Sequence, residues 1–136
     1  MAEPQKSTPV IKIDIAPGEL LDKISILEIK SERMTDSAKL ANVRHELGLY
    51  REIAANALPM TEALAALAKD LKAVNEILWV TEDDIRDCEA QQEFGDRFIR
   101  LARNVYKTND RRALIKREIN LLCGSSIIEE KSYTPY

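Results

Sequence analysis

The apolar positions of this chain change their period once. From Val10 to Ile15 they alternate, with Ile11, Ile13 and Ile15 on one face and Lys12 and Asp14 on the other, which is the pattern of a β-strand. A lone strand leaves its edge groups unpaired. The only other short apolar run lies around Ile127 and Ile128, so the two segments are expected to pair, within the chain or across a dimer. After Ile15 the spacing becomes helical. Pro17, Gly18 and Glu19 open a first helix, since proline fits the first turn and an acid suits the positive end of the dipole. Its stripe is Leu20, Ile24 and Leu27, with Leu21 and Ile29 beside it, and it should end near Met34. Thr35 or Asp36 caps a second helix, in which Leu40, Val43, Leu47, Tyr50 and Ala54 keep a 3-4 spacing until Pro59 stops it. Thr61 opens a third, where Leu64, Leu67, Leu71, Val74, Leu78, Thr81, Ile85 and Cys88 repeat without a break. About thirty residues at 1.5 Å each make a rod of roughly 45 Å. Gly95 and Asp96 mark a turn. Phe98, Leu101, Val105, Ile115, Ile119 and Leu122 continue the spacing on a fourth helix, which Gly124 ends.

These elements predict a mainly α fold. It is an elongated up-down helical bundle built on a long antiparallel hairpin of the third and fourth helices, with the two shorter helices covering it and the short N-terminal strand paired to the C-terminal segment. Met1 to Pro9 reads as a flexible leader, and residues 10–136 as one helical domain. A 3-4 repeat sustained over nearly four heptads is also a coiled-coil seam. The shorter helices cannot cover its full length, so a homodimer is expected to bury the remainder.

Composition narrows the function. The 136 residues are 32% charged and 45% hydrophobic, which suits a single globular domain. A net charge of −3 argues against nucleic-acid binding by bulk charge. No apolar run approaches the roughly 18 residues of a spanning helix, so no membrane insertion is expected. The first residues have neither the apolar core of a signal peptide nor the character of a transit peptide, which points to the cytoplasm. Cys88 and Cys123 are far apart and fall near core positions, and His45 is the single histidine, beside charged residues on a helix. No Gly-rich phosphate loop or hydrolase motif is present, and nothing calls for a cofactor.

Two polar ladders stand out. Asn75, Trp79, Glu82 and Arg86 share one face of the third helix, and Asn109, Arg112, Lys116 and Asn120 share one face of the fourth. Antiparallel packing brings them toward each other. Fixed Arg and Lys donors in a cleft can hold a carboxylate or phosphate, and the tryptophan can stack on a ring. The competing reading is an interhelical ion-pair ladder, common at such positions. Glu82, Asp83, Asp84 and Asp87 form an acidic cluster, but a Mg²⁺ site needs acids from a second helix, where only Glu28 and Glu32 offer themselves; no metal site is assigned.

Three segments carry a resemblance: GELLDKISILEIKSER (Gly18–Arg33), NEILWVTEDDIR (Asn75–Arg86), and VYKTNDRRALIKREIN followed by GSSIIEEKSY (Val105–Tyr133). The set resembles a family of small uncharacterised bacterial proteins classed as a domain of unknown function. The second half, through Asn75, Leu78, Trp79, Glu82, Asp83, Arg86, Asn109 and Arg112, is similar to another uncharacterised family whose members accompany cell-surface polysaccharide genes. That resemblance implies an accessory role in surface-glycan synthesis. The cadence of LLDKISILEIKSERM is similar to the first helix of all-helical chorismate mutases, which implies charge clamps at Lys23, Lys30, Arg33 and Lys39. Two functions follow. One is a non-enzymatic dimeric accessory or binding protein that holds a protein partner or a small anionic ligand on the two ladders. The other is an all-helical enzyme for a small anionic substrate, chorismate-mutase-like or Mg-dependent pyrophosphatase-like. In it Arg86, Arg112 and Lys116 are clamps and Glu82 is the acid or base.

Overall fold

A computed structural model describes residues 10–136. Four helices follow in order: α1 (Pro17–Arg33), α2 (Ser37–Ala57), α3 (Glu62–Ala90) and α4 (Asp96–Leu122). The protein is mainly α, a helical bundle resting on the long α3/α4 hairpin. Both ends of that hairpin are set by local chemistry. The Thr61 hydroxyl accepts the Leu64 amide at 3.2 Å and caps α3. At the far end of α4, Gly124 takes a φ of +66°, Ser125 N–H reaches Asn120 O at 2.9 Å, and Gly124 N–H reaches Leu121 O at 3.2 Å. This is the paired 6→1 and 5→2 bonding of a Schellman ending. α3 ends the same way, with Glu93 N–H on Cys88 O at 2.8 Å and Gln92 N–H on Glu89 O at 3.1 Å, but here a glutamine occupies the left-handed position, at φ +55°. Asp36 caps α2 by accepting the Lys39 amide at 2.9 Å.

The layering departs from the expected cover of the hairpin. Among the four helices α2 packs on α1 alone, and α1 packs on α2, α3 and α4. The order of layers is therefore α2, then α1, then the hairpin. α1 is buried around much of its circumference: Leu20, Leu21, Ile24 and Leu27 join Val43, Leu47 and Ala54 of α2 with Leu64, Leu71 and Ile119 of the hairpin in one core. Gly18, Asp22, Ser25 and Ile29 of α1 are buried as well. That core takes nothing from α3 beyond Leu71, and its α4 members begin at Ile115. Farther along the hairpin Leu78, Ile85, Phe98, Leu101 and Val105 are only half-buried.

The expected N-terminal strand is absent. Among the described residues there is no strand; Val10–Ile15 makes no backbone ladder, and Val10, Ile11 and Ile13 stand exposed. The segment around Ile127 is used otherwise. Ser125 Oγ and the Ile127 amide and carbonyl close a turn, and the chain then returns along α4, where Arg117 meets Glu130 at 2.9 Å and the Tyr136 hydroxyl bonds Asp110. The C-terminal segment is thus engaged along α4, and among the described residues Val10–Ile15 has no strand to pair with. Leu122, counted in the apolar stripe, is exposed because the helix ends there. The leader Met1–Pro9 lies outside the described residues. Among those described, no helix is long and apolar enough to cross a membrane.

The strained ending of α3 yields a test. Gln92→Gly removes the left-handed penalty of a side chain and should raise unfolding free energy by about 0.5–1 kcal/mol, read as a higher urea midpoint with an unchanged slope.

Candidate functional site

The centre of the molecule is polar. Asp22 lies on the buried side of α1 with a relative exposure of 1%. It belongs to a row, Gly18, Asp22, Ser25 and Ile29, spaced 4-3-4 along the helix, which turns toward the hairpin. Arg112 of α4 grips its carboxylate with both arms of the guanidinium: Nε donates to Oδ1 at 2.9 Å and Nη2 to Oδ2. Asn75 of α3 donates its amide to Asp22 Oδ1 at 2.9 Å and to Ser25 Oγ at 2.7 Å. Ser25 in turn donates to the Asp22 carbonyl at 2.8 Å. Lys116 stands 3.9 Å from Asp22, 2.7 Å from Glu19 and 3.6 Å from Glu129 of the returning tail. Three helices thus meet at one carboxylate, and among the described residues no buried side-chain polar atom lacks a partner.

Burial alone raises the Asp22 pKa. The hydrogen bonds from Arg112 and Asn75 and the charges of Arg112 and Lys116 together outweigh it, so the group sits below the usual carboxylate range. The hydrogen bond to Asp22 likewise holds the Arg112 proton more tightly, against the smaller opposing effect of burial.

The start of α1 is built into the same region. Ala16 offers no side-chain cap, and Pro17 has no N–H to satisfy. The Gly18 amide is satisfied from another helix, by Asn120 Oδ1 at 2.7 Å. This approach needs a glycine: a Cβ there would lie 2.5 Å from the Lys116 carbonyl oxygen and 2.9 Å from Asn120 Oδ1.

The two ladders read from the sequence divide between two depressions. Asn75, Trp79, Glu82, Arg86, Asn109 and Arg112 line a notch of about 390 Å³ where α1 meets the hairpin, with Ile26, Ile29 and Leu78 as its apolar wall. Lys116 and Asn120 lie farther along and, with Asn109 and Arg112, line a groove of about 920 Å³ between α4 and the tail. Within the notch Arg86 pairs with Glu82 of its own helix at 2.6 Å and is largely exposed. Sequence reasoning missed the acids that engage the cations, Asp22, Glu19 and Glu129, together with the roles of Gly18 and Ser25. The signals were there. The α4 stripe lacks an apolar residue between Val105 and Ile115, and Thr108 and Arg112 fill the missing steps. The second row of α1 carries an Asp at the matching place.

Other candidates separate from this centre. Glu28 and Glu32 pair with Lys72 at 3.9 and 2.5 Å, away from the acidic cluster of α3. Among the described residues no three acids, cysteines or histidines gather closely enough to hold a metal ion. His45 is exposed, Cys88 is fully buried, and burial pushes the Cys123 thiol up.

Three outcomes test this centre. Arg112→Ala strands a buried carboxylate and should cost about 3–5 kcal/mol in urea unfolding, most of it recovered in Asp22→Leu/Arg112→Met. Gly18→Ala forces α1 away from α4 and should cost roughly 1–3 kcal/mol in the same assay. Because the folded Asp22 pKa is depressed, its contribution is complete above the unfolded value of about 3.9 and fades as pH falls below it. Asp22→Asn should therefore be less stable at neutral pH and show a shallower loss of stability on acidification.

No curated protein and no solved structure matches the chain. A family model does, over residues 11–136, which is nearly the whole length, and the chain accordingly belongs to the family of unknown function DUF6165.

Proposed function

We propose that this protein is a non-enzymatic accessory or binding protein that works as a homodimer. One observation carries the reading: the cations that an enzyme would use as clamps are already engaged. Arg112 is forked onto Asp22, Lys116 is held by Glu19 and Glu129, and Arg86 by Glu82. A substrate anion would have to displace carboxylates that the fold itself supplies, one of them buried. The two ladders then act as structure at Asn75, Arg112, Lys116 and Asn120, and as a surface at Trp79, Glu82, Arg86 and Asn109.

The dimer reading rests on the apolar seam that the hairpin leaves half-buried. A standard interface takes about 800 Å² from each partner. The half-buried seam of Leu78, Ile85, Phe98 and Val105 and the Trp79 notch supply an apolar face on the α1 side of the hairpin. A second hairpin, or a helical protein partner, completes the bundle there. In surface-glycan synthesis, the setting implied by the sequence resemblance, such a dimer serves as an accessory rather than a catalyst.

Native mass spectrometry on gently purified protein should show twice the 15.4 kDa chain mass with no retained small molecule, and Trp79→Glu should give the single chain. A retained anionic mass would overturn the accessory reading in favour of a ligand site. A wild-type monomer would overturn the dimer.

A further inference from the structure

The opposite face of the hairpin carries a different chemistry. On α4, Arg100, Arg103, Lys107 and Arg111 follow at 3-4-4 spacing, a single row about 16 Å long. At about 100° per residue the row lies roughly 180° around the helix from Arg112, Lys116 and Asn120, which face α1. All four side chains belong to exposed residues, and among the described residues none of them takes part in an ion pair. The α1-facing cations Arg112 and Lys116 behave in the opposite way, each closed by an acid of α1. In a chain of net charge −3, an unanswered row of four cations is a local reversal of sign.

On α3 the same face carries the exposed Ile77 and Val80 between Asp70 and Asp84; on α4 Leu114 continues the row past Arg111, and Asp96 and Glu118 lie four residues before and seven residues after the four cations. Neither the notch nor the tail groove is lined by any of the four cations. Two long antiparallel helices make this side broad and shallow. A regular row of cations beside exposed aliphatic side chains matches a surface that is negative at its headgroups and apolar just beneath. A phosphodiester backbone would answer the cations and leave Ile77, Val80 and Leu114 without a partner.

We infer that the outer face of the α3/α4 hairpin, through Arg100, Arg103, Lys107 and Arg111 with Ile77 and Val80, docks peripherally on an anionic lipid bilayer. The inference is independent of the oligomeric state, since the proposed dimer uses the other side of the hairpin.

Co-sedimentation of the full chain with vesicles tests it. The protein should bind mixed phosphatidylglycerol–phosphatidylcholine vesicles at low salt, bind far less at high salt, and ignore pure phosphatidylcholine. Arg103→Glu/Lys107→Glu should weaken binding by at least about tenfold, whereas Lys39→Glu/Arg44→Glu, which reverses two exposed cations of α2, should leave it unchanged. Ile77→Ser/Val80→Ser should also weaken it. Circular dichroism and the native mass of each variant should match the wild type. Four results would overturn the inference. They are no binding to anionic vesicles, equal loss from the α2 reversal, duplex DNA binding as tight as vesicle binding and indifferent to Ile77→Ser/Val80→Ser, or a changed oligomeric mass in Arg103→Glu/Lys107→Glu. The last would make this face the dimer contact and leave the dimer itself standing; a wild-type monomer that binds vesicles would remove the dimer and leave this inference intact.

Discussion

A carboxylate taken out of water must be answered, and the answer to Asp22 fixes how the helices of this protein meet. The middle layer of the fold carries the charge, and both helices of the hairpin send donors to it, Asn75 from α3 and Arg112 from α4. A planar guanidinium meeting a planar carboxylate through two bonds tolerates little sliding or rotation. An apolar contact between the same helices would hold as firmly while permitting neighbouring registers. The polar centre thus selects one arrangement among several that the leucine stripes alone would allow, in the way a buried polar residue fixes register in a coiled coil. Close by, the Asn120 side-chain oxygen Oδ1 accepts the Gly18 amide, so the angle at which α1 enters and the height at which it sits are fixed by adjacent groups on one face of α4.

Most of the helical architecture was legible because it is written in long periodic stretches. The eight-position stripe of α3 contains only residues that the structure buries or half-buries, and Asp36, Thr61 and Gly124 act at the ends where their chemistry places them. The alternation of Val10–Ile15 was legible too, yet misleading. A strand is a property of two segments, and periodicity in one says nothing about whether the other is free. The order of layers was hidden for a similar reason. Stripe length suggests that two short helices share the long hairpin between them, but α1 is apolar on one row and small or polar on a second, and this two-sided character puts it in the middle.

The candidate site was half legible. Both ladders do lie on the inner side of the hairpin, as helical phase requires. Their partners stayed out of view because an acid on a helix reads as a solvated flank unless its row is followed in both directions. Gly18, Asp22, Ser25 and Ile29 make such a row: a glycine that permits close approach, a charge, a hydroxyl and an aliphatic residue at core spacing. The interruption of the α4 stripe at Thr108 and Arg112 is the complementary mark. A gap in one stripe and a charge in another are weak signs separately and a contact when taken together.

The placement of α2 has a consequence for motion. Among the four helices α2 rests on α1 alone, and its ion pair across that contact, Arg51 with Glu28 at 3.3 Å, is largely exposed. Detaching α2 uncovers Val43, Leu47 and Ala54 and the part of α1 they cover, without disturbing Asp22, whose partners all lie on the other side. The molecule therefore contains a separable outer leaf and an inner block of α1, α3 and α4 keyed by the buried charge. Amide protons of α2 are therefore expected to exchange with solvent through the opening of that leaf, ahead of those around Asp22 and Arg112.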